Sequence, residues 1–133
     1  MPQYNENGAI GQLQIPSVKM NYLVYEGTES SVLGMGIGHF ACTGGWEGNV
    51  AFAHNRSSNA VAAFENLKDV NYGDLVYYTT VYGTRTYMVT SIETVSVNDT
   101  TGLLQDGSNK LTMYTCKVNQ PSVKLKVVAT LVG

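Results

Sequence analysis

Along most of the chain, short runs of hydrophobic and polar residues alternate, and Gly, Asn or Asp separate one run from the next. This spacing is typical of strands joined by turns. It predicts a strand at Gly11–Ile15, which ends at Pro16 because proline lacks the amide that a strand interior needs. A second strand is predicted at residues 20–25, before Gly27. Residues 30–38 are rich in glycine and are predicted to be irregular.

The middle of the chain contains one fully apolar run and one helical pattern. Residues 49–53 are almost entirely apolar, which predicts a strand buried on both faces. Residues 58–67 are the best helix candidate, since Ser58 or Asn59 can cap the helix. Its predicted apolar face carries residues spaced three apart, namely Val61, Phe64 and Leu67.

The second half of the chain returns to strand patterns. A turn at Asn71, Gly73 and Asp74 precedes a hairpin centred on Tyr82 and Gly83. The predicted strands of this half are residues 75–80, 84–95, 111–115 and 125–132, with a polar loop at 98–109 between the second and third. About eight strands and one short helix predict an all-β fold, either a small closed barrel or a sandwich.

Composition narrows the class of protein further. The 133 residues suffice for one domain, with a polar leader at 1–10 and a folded domain at 11–133. The net charge is −2 and no basic stripe is present, so nucleic acid is excluded as a partner. No apolar run reaches the roughly 20 residues that span a bilayer. The chain is therefore either a soluble protein or part of a longer one whose membrane anchor lies outside it.

The sequence shows no clear pattern of residues that would bind a metal or a cofactor. The only two histidines, His39 and His54, lack the close spacing of a zinc site. The two cysteines, Cys42 and Cys116, form no CxxC pair, although they could form one disulfide. Calcium needs about six oxygen ligands, and Glu47 stands nearly alone before His54. No metal and no cofactor are expected.

Three residues could carry chemistry, and each also has an ordinary structural explanation. His54 and Cys116 each follow a strand-type run and precede polar residues, where functional side chains often lie. Either could instead be a common strand-end histidine or a buried thiol. Lys124 shares a strand face with Lys126, which could simply be a solvated pair. Together, a thiol, an imidazole and a cation form a nucleophile, an acid–base group and an oxyanion stabiliser.

Five segments together resemble the sortase family of cysteine transpeptidases, over residues 11–132. The stretch GIGHFACTGGWEGNVAFAHNR resembles the segment that leads to the family's catalytic histidine, and LTMYTC resembles the strand that ends in its catalytic cysteine. KLKVVAT resembles the last strand, which begins with the catalytic arginine. GQLQIPSVKMNYLVYEGT and FENLKDVNYGDLVYYTTVYGTRTYMVTSIETV resemble the family's opening and central patterns. The resemblance implies an eight-stranded closed β-barrel with one or two short helices.

Carried onto this sequence, the resemblance assigns His54 as the acid–base group and Cys116 as the nucleophile. The family arginine falls on Lys124, which keeps the charge but lacks the planar fork of donors. Three explanations stay open. Lysine serves as a natural substitute, Arg56 takes over the role, or the domain is slow or acts only as a peptide-binding module.

The resemblance also implies the reaction and its partners. Cys116 would cut an LPXTG-like sorting signal, and an amine from a peptidoglycan precursor or a pilin would accept the acyl group. The small residues Ala53 and Thr115 would line the cleft. Leu103 and Leu104 would cover the peptide or simply anchor their loop. His39 and Cys42 are expected to be structural. A monomer at the outer face of the membrane, held by an anchor beyond this chain, is expected.

Overall fold

The computed structural model describes residues 2–33, 36–54, 65–117 and 120–132. Within these residues, eight strands form one closed barrel. In chain order they are β1 Gly11–Ile15, β2 Met20–Glu26, β3 Ile37–His39, β4 Asn49–His54, β5 Leu75–Thr80, β6 Gly83–Ser96, β7 Lys110–Lys117 and β8 Gln120–Leu131. The described part also contains the short α-helix α1 at Ser30–Leu33 and 3₁₀ turns at Pro16–Val18, Glu65–Asp69 and Thr101–Leu103.

Strand pairing closes the barrel in the order β1, β2, β3, β4, β7, β8, β6 and β5. Pairing between β5 and β1 completes the ring, so neither strand is left as an open edge. The pairs β2–β3 and β4–β7 are parallel, and the other neighbours are antiparallel. The closed eight-stranded barrel confirms the fold class predicted from the sequence.

The core follows from the alternation along the strands. In β1, every second residue is buried, so Gly11, Leu13 and Ile15 lie inside. Strand β4 is buried along nearly its whole length, as its apolar run predicts, because it lies between β3 and β7 and is covered on its outer face. Phe52 of this strand packs edge-to-face against Tyr78, with the ring centroids 5.1 Å apart.

The hairpin between β5 and β6 was also predicted correctly. Thr80 pairs with Gly83 across a two-residue turn. Gly83 has a positive φ of 122°, a conformation that residues with a Cβ rarely adopt. The turn at Asn71 and Asp74 is closed from both sides, because each residue's backbone N–H donates to the other residue.

The prediction for residues 30–38 was wrong, since this segment contains α1 and the strand β3. Three residues are too few to show a period along the sequence. Strand β3 is stabilised by partners on both sides, namely β2 and β4. Of the helix predicted at 58–67, residues 58–64 lie outside the described residues, and the part from Glu65 belongs to a 3₁₀ turn.

The first ten residues contact the barrel. The Tyr4 hydroxyl donates to Gln12 of β1, and the Ile10 amide donates to the Val24 carbonyl of β2. Ile10 lies in the main hydrophobic core. None of the helices in the described part of the chain has the length and apolar character needed to cross a membrane.

The loop between β6 and β7 is held against the barrel by Asn49, the first residue of β4. The Asn49 amide nitrogen donates to the carbonyls of Gly102 and Leu104, at 2.6 and 3.0 Å. Its amide oxygen accepts a hydrogen bond from the Thr112 hydroxyl at 2.8 Å. Asn49 itself is fully buried, and its bonds with Gly102 and Thr112 form away from water, whereas the bond to Leu104 is partly exposed.

We expect Asn49→Ala to lower the free energy of unfolding by about 2–4 kcal/mol. The substitution leaves buried carbonyls and a buried hydroxyl without their partner, and each such group costs about 1–3 kcal/mol. Urea denaturation measures the change, and Asn98→Ala in an exposed turn is the matched control. A loss under about 0.5 kcal/mol, equal to the control, would show that the loop is held by other contacts.

Candidate functional site

The three candidate residues lie on three neighbouring strands at one end of the barrel. His54 is the last residue of β4, and its Cα pairs with that of Thr115 on β7. Cys116 follows Thr115 directly, and it pairs with Lys124 on β8. Neighbouring strands lie about 4.8 Å apart, so each of these backbone positions is within one strand spacing of the next. The fold therefore brings together residues that are up to 70 positions apart in sequence, counting from 54 to 124.

The cation of this group lies on the outer surface of the sheet. Leu125 and Val127 of β8 point into the core, so the alternate residues Lys124 and Lys126 lie outside. The Lys124 ammonium is 4.0 Å from the centre of the Tyr114 ring. Tyr114 is two residues before Cys116 on β7, and its Cα pairs with that of Lys126 on β8. The predicted shared face of the two lysines is confirmed.

The histidine and the residues beside it form the buried floor of this region. His54 is only 3% exposed, and Thr115 is 5% exposed. Ala53 is partly buried and pairs with Tyr114. Ala53 and Thr115 thus adjoin the candidate catalytic positions, as the sequence predicts, and their role in binding a peptide stays a prediction.

Of the predicted pair of leucines, one is much more exposed than the other. Leu104 is 65% exposed, while Leu103 is half-buried at the end of a 3₁₀ turn. The Leu104 carbonyl accepts a hydrogen bond from Asn49, the first residue of β4, whereas His54 is the last residue of that strand. The structure therefore anchors Leu104 near the opposite end of β4 from His54, and the contact of both leucines with substrate stays a prediction.

A polar network that the sequence did not reveal adjoins the site. The Tyr114 hydroxyl donates to Asp99 at 2.8 Å and accepts a hydrogen bond from the Gly102 amide at 2.9 Å. The Thr101 hydroxyl also donates to Asp99, and the Lys126 ammonium donates to Thr101. The position of Tyr114 in LTMYTC, two residues before Cys116, was the available signal. Its partner Asp99 could not be found this way, because it lies 15 residues away in a loop.

These contacts shift two pKa values. Desolvation raises the pKa of Asp99, but hydrogen bonds from Tyr114 and Thr101 and the charges of Lys126 and Lys124 outweigh it, and the net shift is downwards. Desolvation and the bond to Asp99 raise the pKa of Tyr114 to about 12. At neutral pH, Asp99 is therefore an anion and Tyr114 a neutral phenol that donates to it.

We expect the contribution of Asp99 to stability to disappear in acid. Folding lowers the pKa of this carboxyl, so the unfolded chain takes up a proton at a higher pH than the folded protein does. The stabilisation is thus complete above about pH 5 and is lost as the pH falls through the folded value. Urea midpoints of the wild type and Asp99→Asn should differ most at pH 7 and converge towards pH 3. Tyr114→Phe, which removes one donor, should reduce this pH dependence, and a difference that stays constant from pH 7 to 3 would contradict the assignment.

The other histidine and the other cysteine lie elsewhere. His39 is buried, with Nδ1 2.7 Å from a Glu26 carboxylate oxygen and Nε2 2.7 Å from the Gly44 carbonyl. Through these two contacts His39 joins β2, its own strand β3 and the following turn. The expectation of a packed thiol at Cys42 was wrong, because Cys42 is exposed. In that turn, Thr43 points inward instead and accepts a hydrogen bond from the Ala51 amide.

Two further expectations concern Arg56 and a metal site. Arg56, the alternative to Lys124, lies outside the described residues. In the described part of the chain, no group of three or more His, Cys, Asp or Glu side chains is arranged to hold a metal ion. Glu47 forms an ion pair with Arg85 at 2.7 Å.

Comparison with known proteins extends over nearly the whole chain. Residues 13–132 match the family model of the sortase domain. Sortase A of Listeria monocytogenes serovar 1/2a is 25% identical over 114 residues, which are 85% of this chain and 51% of that protein. The chain thus spans about half the length of this curated relative.

Solved structures show the same similarity in three dimensions. The crystal structure of sortase C-1 from Actinomyces oris has a TM-score of 0.89 and 25% identity, covering 97% of this chain and 76% of that one. Sortase A from Corynebacterium diphtheriae has a TM-score of 0.87 and 27% identity, covering 94% of this chain and 61% of that one. The relatives include sortases named A and C, so the class within the family is left open.

Proposed function

Because the chain belongs to the sortase family, we propose that it is a cysteine transpeptidase that joins the acyl part of a sorting peptide to an amine. The observation that carries this proposal is the pairing at one barrel end, where β4, β7 and β8 bring His54, Cys116 and Lys124 onto adjacent strands. Acyl transfer through a thioester needs a nucleophile and an acid–base group, and a nearby cation can stabilise the negatively charged intermediate.

In the first step, the Cys116 thiolate attacks the carbonyl carbon of a Thr–Gly type bond in an LPXTG-like signal. A C–S bond forms as the C–N bond breaks, and protonated His54 gives its proton to the departing amine. The products are a thioester on Cys116 and a free C-terminal fragment of the signal.

In the second step, an incoming amine attacks the thioester carbonyl. Neutral His54 takes the proton from this amine, the new C–N bond forms, and the C–S bond breaks to release Cys116 as a thiolate.

Both steps pass through a tetrahedral intermediate with negative charge on oxygen. Lys124, which pairs with Cys116 in register, supplies the positive charge for this oxyanion. A backbone N–H at Thr115 or its neighbour supplies a second donor. Lysine can act as a point charge here, whereas an arginine would also offer a planar fork of hydrogen bonds.

The partners follow from this chemistry. The donor is the sorting signal of a surface protein, and the acceptor is an amine of a peptidoglycan precursor or of a pilin. Ala53, Thr115, Leu103 and Leu104 line the peptide's path. Both partners are found at the outer face of the membrane of Gram-positive bacteria, and we place the domain there, tethered by a segment beyond this chain.

Product analysis tests the proposal directly. The protein is incubated with an LPXTG peptide, with and without oligoglycine or a lysine-bearing pilin peptide, and products are identified by mass spectrometry. We expect an acyl adduct on Cys116, and we expect amide product to replace the acid when amine is added. Acid product alone at all amine concentrations would identify a cysteine hydrolase instead, and the absence of any adduct or product would overturn the proposal.

A second candidate is a sortase-like module that binds sorting peptides but turns them over poorly. The specific observation that favours it is lysine at position 124, where the family has arginine. Peptide binding measured by fluorescence anisotropy, together with the absence of the Cys116 adduct, would support this alternative.

A further inference from the structure

Two hydrogen bonds and a contact with Phe40 fix the position of the Tyr114 ring. The hydroxyl donates to Asp99 and accepts from the Gly102 amide, at 2.8 and 2.9 Å. Phe40 packs against the ring in a T-shaped contact, with the ring planes at 79° and the centroids 6.2 Å apart. No Cβ fits at Gly102, because it would overlap the Tyr114 hydroxyl and the Thr112 side chain. The face of this ring therefore has a defined position beside the site.

Lys124 lies against this face, with its ammonium 4.0 Å from the ring centre. A lysine side chain has four rotatable bonds and a strongly hydrated head, so without contacts to hold it a lysine samples many rotamers. An aromatic face attracts the ammonium through its quadrupole and restricts those rotamers. A guanidinium is pre-organised by its own planar fork and has less need of such support.

We propose that Tyr114 is a positioning residue that holds the Lys124 ammonium beside Cys116, so that a lysine can stabilise the oxyanion. Asp99 acts through Tyr114, because its carboxylate fixes the phenol in place. This proposal rests on the proposed transpeptidase function for its effect on rate, but the contact between Lys124 and Tyr114 can be tested without any turnover.

Kinetics with two substitutions separate the ring from its hydroxyl. Tyr114→Leu removes the aromatic face and should lower kcat about 10-fold with KM little changed, because the ammonium is needed in the transition state. Tyr114→Phe keeps the face and should retain kcat within about 3-fold. Equal losses in both variants would overturn the proposal and assign the effect to the hydroxyl network.

A double-mutant cycle with Lys124→Met tests whether the ring acts through the lysine. If it does, Tyr114→Leu should lower kcat in the wild type and should cause no further loss in Lys124→Met. A purely structural role predicts the same fold-loss in both backgrounds, and that result would overturn the proposal. Should Tyr114→Leu fail to fold, Tyr114→Met takes its place, since methionine also removes the aromatic face and its flexible side chain fills irregular gaps.

Nuclear magnetic resonance provides the readout that does not depend on activity. The ε-protons of Lys124 should be shifted upfield by the ring current of Tyr114 in the wild type and in Tyr114→Phe, and should move to ordinary lysine values in Tyr114→Leu. Lys19, an exposed residue between β1 and β2, serves as the internal reference. Shifted protons in a protein with no turnover would uphold the contact and reject the enzyme assignment. Unshifted protons in an active protein would reject the positioning role alone.

Discussion

Cys116→Ala should abolish both cleavage of the sorting peptide and formation of the amide product. Without the thiol no thioester can form. Removing the nucleophile of a comparable triad lowers kcat by several orders of magnitude, so we expect a loss of at least about 10³-fold. Chromatography of the peptide products after prolonged incubation measures it.

The matched control is Cys42→Ala, which removes the other cysteine. Cys42 is exposed in the turn after β3 and does not belong to the strands that carry the candidate site. This variant should keep the activity of the wild type and should still show the acyl adduct on Cys116. If Cys116→Ala retains turnover while its circular dichroism spectrum shows an intact barrel, the cysteine mechanism is wrong.

Lys124→Met should have the second-largest effect, a decrease in kcat of about 10²–10³-fold. Methionine keeps most of the length and apolar character of the lysine stem and removes the charge that faces the developing oxyanion. KM should change little, since the charge matters most in the transition state. Steady-state kinetics with a fluorogenic peptide separate the two constants.

The control for this experiment is Lys126→Met, two residues further along the same face of β8. Lys126 donates to Thr101, and its partner on β7 is Tyr114, whereas the partner of Lys124 on that strand is Cys116. Its loss should lower kcat less than about 5-fold. Equal losses at both positions would mean that the general positive potential matters and that Lys124 has no specific role.

Lys124→Arg distinguishes the two functions proposed above. If lysine is a natural substitute held by Tyr114, arginine should change kcat by less than about 5-fold. A gain of 100-fold or more would show that the natural chain is impaired, and it would favour the peptide-binding module.

Local sequence was sufficient for most of the strands and for the turns that join them. Alternation of apolar and polar residues predicted β1, β2, β5 and β6, because one side of each strand faces the core and this imposes a period of two. Pro16 and Gly83 marked chain reversals through their own backbone restrictions. The apolar run of β4 indicated burial on both faces.

Other features of the fold depend on contacts between residues that are far apart in the chain. The local sequence pattern therefore gave little indication of them. Strand β3 has three residues and owes its existence to β2 and β4 on either side, so no period could reveal it. Cys42 is hydrophobic enough to suggest burial, yet the turn directs Thr43 inward in its place. The contact of Tyr114 with Asp99 joins a strand to a loop that is held down by Asn49 of another strand.

The candidate site, like the fold, was predictable from the sequence only in part. Residue types and motif order were enough to select His54, Cys116 and Lys124, because a thiol, an imidazole and a cation are recognisable wherever they occur. Their adjacency came from the pairing of β4 with β7 and of β7 with β8. Register is determined by long-range hydrogen bonds and core packing, and a shift by one residue would turn Lys124 towards the barrel interior. The candidate residues could therefore be chosen from the chain and its resemblance to a family, whereas their assembly at one barrel end required the closed sheet.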